Sequence, residues 1–194
     1  DKIVYRWDTT PDPDAWVQDR IPPFNGVIFA DGEIERLTGP ARIPAGSTKG
    51  EDAGPAVAAF SELTIASDTD IRITGDLKYE QPPHSGIAKR NPDGTVTPPT
   101  AINDGAINVL GVYSAGGNAG GNILIGNQHN GAPTMNAPDN VMVHASLMSS
   151  TGQIQVEKFN QGSCRGNFQL IGGMIQTRRG PFYTFSGNTC TSGF

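Results

Sequence analysis

One short unit recurs along this chain, and it limits the fold more than any other feature: a strand of alternating apolar residues, a corner marked by Gly, Asn or Asp, then another such strand. Val27, Ile28 and Phe29 pass through Asp31-Gly32 to Ile34 and Leu37. Leu63 and Ile65 pass through Asp68 and Asp70 to Ile71, Ile73 and Leu77. Leu110 and Val112 lead through a glycine-rich corner, 116–121, to Ile123 and Ile125. Val141, Val143 and Leu147 lead through Thr151-Gly152 to Ile154 and Val156, and Phe168 and Leu170 turn at Gly172-Gly173 into Met174 and Ile175. Period-2 alternation turns one side chain inward and the next outward. A unit of this size cannot bury its apolar row alone, so self-similar units must stack. The pattern predicts an all-β fold, a right-handed β-solenoid of parallel β-helix-like stacked coils with loop insertions. Such a fold offers long flat faces for binding.

Composition agrees. The 194 residues suit one domain, and 36% hydrophobic content supports a narrow core. The 25 Gly and 15 Pro fall between apolar strands, where turns are needed. The nearest approach to an amphipathic helix is 54–63, good for two turns at most. No run of ~18 apolar residues is present, so no transmembrane helix is expected in this chain. Cys164 and Cys190 lie 26 positions apart, without CxxC or metal-type spacing. They predict a disulfide in an exported protein, with two buried thiols as the alternative.

Residues 1–25 read as a separate segment, a cap or junction, ahead of a β-solenoid domain at 26–194. Ile3, Val4 and Tyr5 suit one strand; an acidic, Pro-rich stretch then separates Trp7 from Trp16. Terminal coils of solenoids need an atypical cover. The longest irregular insertion is 81–104, with Pro82-Pro83-His84, Lys89-Arg90 and Pro98-Pro99. Loops of this length commonly carry function.

The coil sequences resemble those of pilin-like proteins of bacterial type IV pili. The run Gly26-Val27-Ile28-Phe29-Ala30-Asp31-Gly32-Glu33-Ile34 is similar to the opening of their β-solenoid modules, and 63–79, from Leu63-Thr64-Ile65 to Gly75-Asp76-Leu77-Lys78-Tyr79, is similar to a complete coil. The stretches 108–114, 121–123 and 167–176 follow the same pattern. The resemblance covers roughly 26–194 and is nearest to the competence-associated minor pilins. It implies a surface-exposed binding module at the pilus tip, on the cell surface, with DNA as ligand during natural transformation and other pilins as partners. It also implies that membrane anchoring comes only through a segment absent from this chain. The alternatives are a structural or adhesive tip domain without DNA binding and, less favoured, a polysaccharide-acting β-helix enzyme.

The chemistry-bearing residues point to binding and not to catalysis, with no cofactor and no metal. Net charge is −5. Residues 1–104 hold ten Lys/Arg and seventeen Asp/Glu, a balance of −7, whereas 105–194 hold four basic and two acidic residues, a balance of +2. Lys158, Arg165, Arg178 and Arg179, with Lys89 and Arg90 on the insertion, form the candidate DNA-binding set. Phe159, Phe182 and Tyr183 are interleaved with them, and cations beside aromatics suit a nucleic-acid backbone groove. Asp68, Asp70 and Asp76 could serve Ca²⁺ or acid–base chemistry, but corner Asp residues ordinarily bond backbone. Asn118, Asn122, Asn127, Asn130, Asn136 and Asn140 suit polar ladders inside the coil or at its corners. His144 alternates with Val143, which predicts an outward, surface histidine. The 116–121 corner lacks the Lys-Ser/Thr of a P-loop.

Overall fold

The computed structural model describes residues 2–7, 16–21, 26–85, 88–103, 105–117, 120–127 and 136–194. The fold is all-β. Among these residues the only helical piece is a 3-10 turn at Gly50–Asp52. The 54–63 segment is not helical: Val57 bridges Tyr79 instead. In chain order the strands are β1 (Lys2–Trp7), β2 (Trp16–Ile21), β3 (Gly26–Ala30), β4 (Ile34–Leu37), β5 (Glu62–Ser67) and β6 (Ile71–Ile73). Four short strands follow in the insertion: β7 (His84–Ser85), β8 (Lys89–Arg90), β9 (Val96–Thr97) and β10 (Thr100–Ala101). Then come β11 (Val109–Ser114), β12 (Ile123–Ile125), β13 (Met142–His144), β14 (Ser146–Ser149) and β15 (Ile154–Val156). The last are β16 (Gln169–Ile171), β17 (Met174–Gln176), β18 (Tyr183–Ser186) and β19 (Thr189–Gly193).

The strands of the repeating unit pair in parallel, as the pattern predicts. A first sheet has the order β17-β14-β11-β5-β3 and a second the order β15-β12-β6-β4. The chain alternates between them, so each return adds the next neighbour to each sheet. A third pairing, β13 with β16, is also parallel and is extended by the Leu77–Val143 bridge. The strands at Val141 and Phe168 belong to this third sheet, and Leu147, not Val141, continues the first. The remaining pairs, β1-β2, β7-β10, β8-β9 and β18-β19, are antiparallel hairpins. The strand expected at Ile3–Tyr5 is β1, and its hairpin sets Trp7 opposite Trp16.

Register stacks like on like. Ile34, Ile71, Ile123 and Ile154 align across the second sheet, as do Leu37, Ile73, Ile125 and Val156. Ile65, Val112 and Leu147 align across the first, and Leu77, Val143 and Leu170 across the third. Ile71, Ile73, Ile123, Ile125 and Ile154 have no exposed surface. Burial of each such side chain contributes roughly 1.5–3 kcal/mol. At the corner after the first sheet the same register builds a row of buried serines. The Ser67 hydroxyl donates to the Gly32 carbonyl, Ser114 to Thr69 at 2.5 Å, and Ser149 to Gly121. Each hydroxyl satisfies a carbonyl that the turning chain leaves without a ladder partner. Glycine is required beside it: a Cβ on Gly121 would lie 2.4 Å from the Gly116 Cα.

Two devices hold the stack at its margins. Arg42, in the 38–54 loop, is buried and grips Asp76 through two hydrogen bonds, Nε to Oδ2 at 2.7 Å and Nη2 to Oδ1 at 2.9 Å. Its remaining donors reach the carbonyls of Ser47, Asp139 and Asn140, and Asp76 Oδ1 also accepts from the Met142 N–H. At the other margin, β18 and β19 fold back and Phe194 enters the core beside Phe168 and Phe182. Cys164 and Cys190 form the expected disulfide, with Cα atoms 5.8 Å apart. Because Arg42 is fully committed, Asp76→Ala leaves an unpaired buried guanidinium. Chemical denaturation of this variant should show a loss of about 3–5 kcal/mol. A loss below about 1 kcal/mol would mean that the clamp does not hold the loop.

Candidate functional site

The six basic residues singled out in the sequence fall in different settings. Arg178 and Arg179 are exposed. They follow β17, and the Arg178 N–H donates to the Gly152 carbonyl at 3.3 Å, which lays this corner beside the turn that precedes β15. Lys158 lies at the opposite end of β15, half-buried, in a left-handed conformation (φ 45°). Arg165 is half-buried: its Nε donates to Asp139 at 2.9 Å, another nitrogen donates to the Ala137 carbonyl, and the guanidinium stacks 5.3 Å from the Phe194 ring centre. Its charge is therefore already matched. Lys89 and Arg90 are exposed on β8, in the insertion hairpin. Of the interleaved aromatics, Phe159 and Phe182 pack against the core, while Tyr183 is half exposed and lies edge-on to Phe185.

The carboxylates do not converge. Asp70 Oδ1 accepts from the Asn122 N–H at 2.8 Å and from its amide at 3.1 Å, so it bonds the corner of the next turn and not its own. Asp76 belongs to the Arg42 clamp. No group of three or more His, Cys, Asp or Glu side chains suited to a metal ion occurs among the described residues. Asn122 passes the corner ladder on, accepting from the Gln153 N–H at 3.1 Å. Asn140 does likewise with the Asn167 N–H at 3.0 Å, and buried Asn127 donates to the Lys158 carbonyl at 3.3 Å. Asn118 and Asn130 lie outside the described residues.

The sheets differ on their outer sides. Across the second sheet Arg72 is buried between Glu33 (2.7 Å) and Glu157 (3.1 Å), a charged strap spanning several strands. The outer surface of the first sheet is mostly uncharged, Glu62 at the start of β5 being its acidic residue. One row is Val27, Thr64, Gly111, Ser146 and Gly173; the next is Phe29, Ala66, Tyr113, Met148 and Ile175. Phe29 and Ile175, at the two ends of the apolar row, are 59% and 60% exposed, whereas Ala66 within it is buried.

The third sheet bounds a cleft of about 820 Å³, opposite Pro82, His84, Pro99 and Ile102 of the insertion. This is within the usual size range of ligand sites. Strand alternation turns Met142 and His144 away from the core, and the Leu77–Val143 bridge brings Lys78 beside His144. His144 is not the surface residue expected from sequence: it is 2% exposed, edge-on to the Tyr79 ring at 5.4 Å. The Tyr79 N–H donates to its Nδ1 at 3.0 Å, while Nε2 is buried with no partner. Burial drives its pKa down to about 4; nearby Lys78 pushes the same way and Asp76 opposes. The ring is thus neutral near pH 7, and with Nδ1 accepting, Nε2 carries the proton. Lys78 Nζ donates to the carbonyls of Glu51 (2.6 Å) and Ala53 (2.7 Å).

No family model, no curated protein and no solved structure matches this chain. The sequence marks His144 only as a surface residue and does not pair it with Lys78. The pair's one signal is that each flanks an inward aliphatic residue, Leu77 or Val143; pairing them requires the register of the third sheet, which no local pattern fixes.

His144 binds protons more weakly folded than unfolded, so its contribution to stability is present above its ordinary pKa and is lost as pH falls from 6.5 toward 4. Between pH 7 and pH 4.5 the parent protein should lose roughly 2 kcal/mol more than His144→Gln in denaturant titrations. Equal losses would contradict a buried neutral imidazole.

Proposed function

We propose that this chain is the β-solenoid binding module of a protein similar to type IV minor pilins, displayed outside the cell, and that it captures DNA there. One observation carries the solenoid reading: strands alternate between two parallel sheets in chain order, each return adding the next strand to both. Stacked turns of that kind bury aliphatic ladders between neighbours. The Cys164–Cys190 disulfide supports an exported location, since cystines persist in oxidising compartments. The likeness of the coil sequences to those of minor pilins supports the pilus assignment, with other pilins as neighbours.

DNA would be held by charge alone, without reading sequence. Exposed Arg178 and Arg179 are the primary phosphate contacts in this reading, with Lys158, Lys89 and Arg90 as outlying ones. Arg165 leaves the set, because Asp139 already matches its charge. The reading favours binding over polysaccharide cleavage, since Asp70 and Asp76 are each committed to backbone or to arginine. A second reading, a structural or adhesive tip domain, is favoured by the apolar row on the outer face of the first sheet. The row from Phe29 through Tyr113 to Ile175 suits contact with another protein.

A gel-shift titration with duplex DNA separates the two. Binding at low salt should weaken as salt rises, with a slope of log K against log salt of roughly −2 for two phosphate contacts. Arg178→Glu with Arg179→Glu should abolish the shift and leave the thermal midpoint unchanged. A double variant that binds like the parent removes Arg178 and Arg179 from the site. If the parent protein gives no shift even at low salt, the module is not a DNA receptor and the tip-domain reading takes its place.

A further inference from the structure

We infer that the cleft between the third sheet and the insertion is a binding site for a small amphipathic carboxylate, its head group held by His144 and Lys78 and its chain by the apolar wall. The site is independent of the DNA reading and uses none of its residues. His144 supplies the first observation. Its Nδ1 is occupied by the Tyr79 N–H, which fixes the proton on Nε2, and that N–H is buried without an acceptor. An unsatisfied buried donor costs about 1–3 kcal/mol. The strand-paired position beside it is Lys78, on the neighbouring rung about 4.8 Å away. Lys78 Nζ donates to two backbone carbonyls, and an ammonium has three donors. On neighbouring rungs lining the cleft there are thus one residue with a spare neutral N–H and one with a spare ammonium N–H. A carboxylate carries two acceptor oxygens on one carbon and takes both.

The rest of the lining sets the tail. Met142, Ile171 and Ile102 are apolar, as are the insertion prolines Pro82 and Pro99. Such a wall, with a few convergent polar groups at one end, suits an alkyl chain ending in a carboxylate. The acidic residue in the lining, Glu51, is exposed and meets Lys78 through its backbone carbonyl. Nε2 is shielded from solvent, so the head group reaches it by a side-chain movement; Met142, unbranched and on the same strand, is the adaptable neighbour.

The test uses sodium octanoate, octan-1-ol and sodium acetate on the whole chain. Octanoate should raise the thermal midpoint in a concentration-dependent way and move the His144 imidazole resonances in a ¹H–¹⁵N spectrum. Octan-1-ol, lacking the charge, and acetate, lacking the chain, should each bind at least about 10-fold more weakly. Lys78→Met should lose a similar factor. If Lys78→Met does not fold, the parent spectrum decides alone. Octanoate that leaves the His144 resonances unmoved overturns the site. Equal binding of octan-1-ol and octanoate overturns the carboxylate.

Discussion

Ile34, Ile71, Ile123 and Ile154 stand in register, one per strand of the second sheet, and most of the architecture depends on that alignment. A parallel strand three residues long buries little surface of its own. Stacked on an identical neighbour, its isoleucine meets another isoleucine above and below, and exposure falls to zero in Ile71, Ile123 and Ile154. A slip of one residue in any strand would send its whole apolar set to solvent. Chain added between strands must therefore leave through the corners. The 81–104 insertion, between Glu80 and β11, is such an addition: β5 and β11 pair in register across it.

The same alignment frees the outward positions. They take no part in the core, so each sheet carries different chemistry outside the same kind of aliphatic interior. The second sheet bears the Glu33–Arg72–Glu157 strap. The first bears an uncharged apolar row. The third bears Lys78, Met142 and His144 beneath the insertion, where an imidazole becomes buried without entering the core. Binding capacity on such a frame is decided by what covers a face, not by the strands themselves.

Much of the fold was legible because period-2 alternation and corner residues are local signals. They located β3 with β4, β5 with β6, β11 with β12 and β16 with β17, and the lone cysteine pair located the disulfide. The third sheet was less visible, since Leu77 enters it through a single bridge and Val143 lies in a strand of only three residues. The site was least legible. Alternation correctly turns His144 away from Val143, but outward does not mean exposed here, because the ring packs edge-on to Tyr79 and takes the Tyr79 N–H. Arg165 was read as a surface cation because nothing local reveals Asp139, 26 residues earlier, as its partner. Asp70 bonds backbone as a corner Asp is expected to, but in a stacked frame the N–H it takes belongs to the next turn, at Asn122.

The central claim is the parallel, in-register stacking of successive turns, and interstrand nuclear Overhauser contacts test it most directly. Ile65 on β5 stands opposite Val112 on β11, and Val112 opposite Leu147 on β14. In parallel strands the Hα atoms of such pairs lie far apart, and the strong contacts run instead from amide protons to Hα across each strand. The expected spectrum has amide–Hα contacts linking β5 to β11 and β11 to β14, without strong Hα–Hα contacts for these pairs. Strong Hα–Hα contacts between Ile65 and Val112 would place the strands antiparallel and contradict the account.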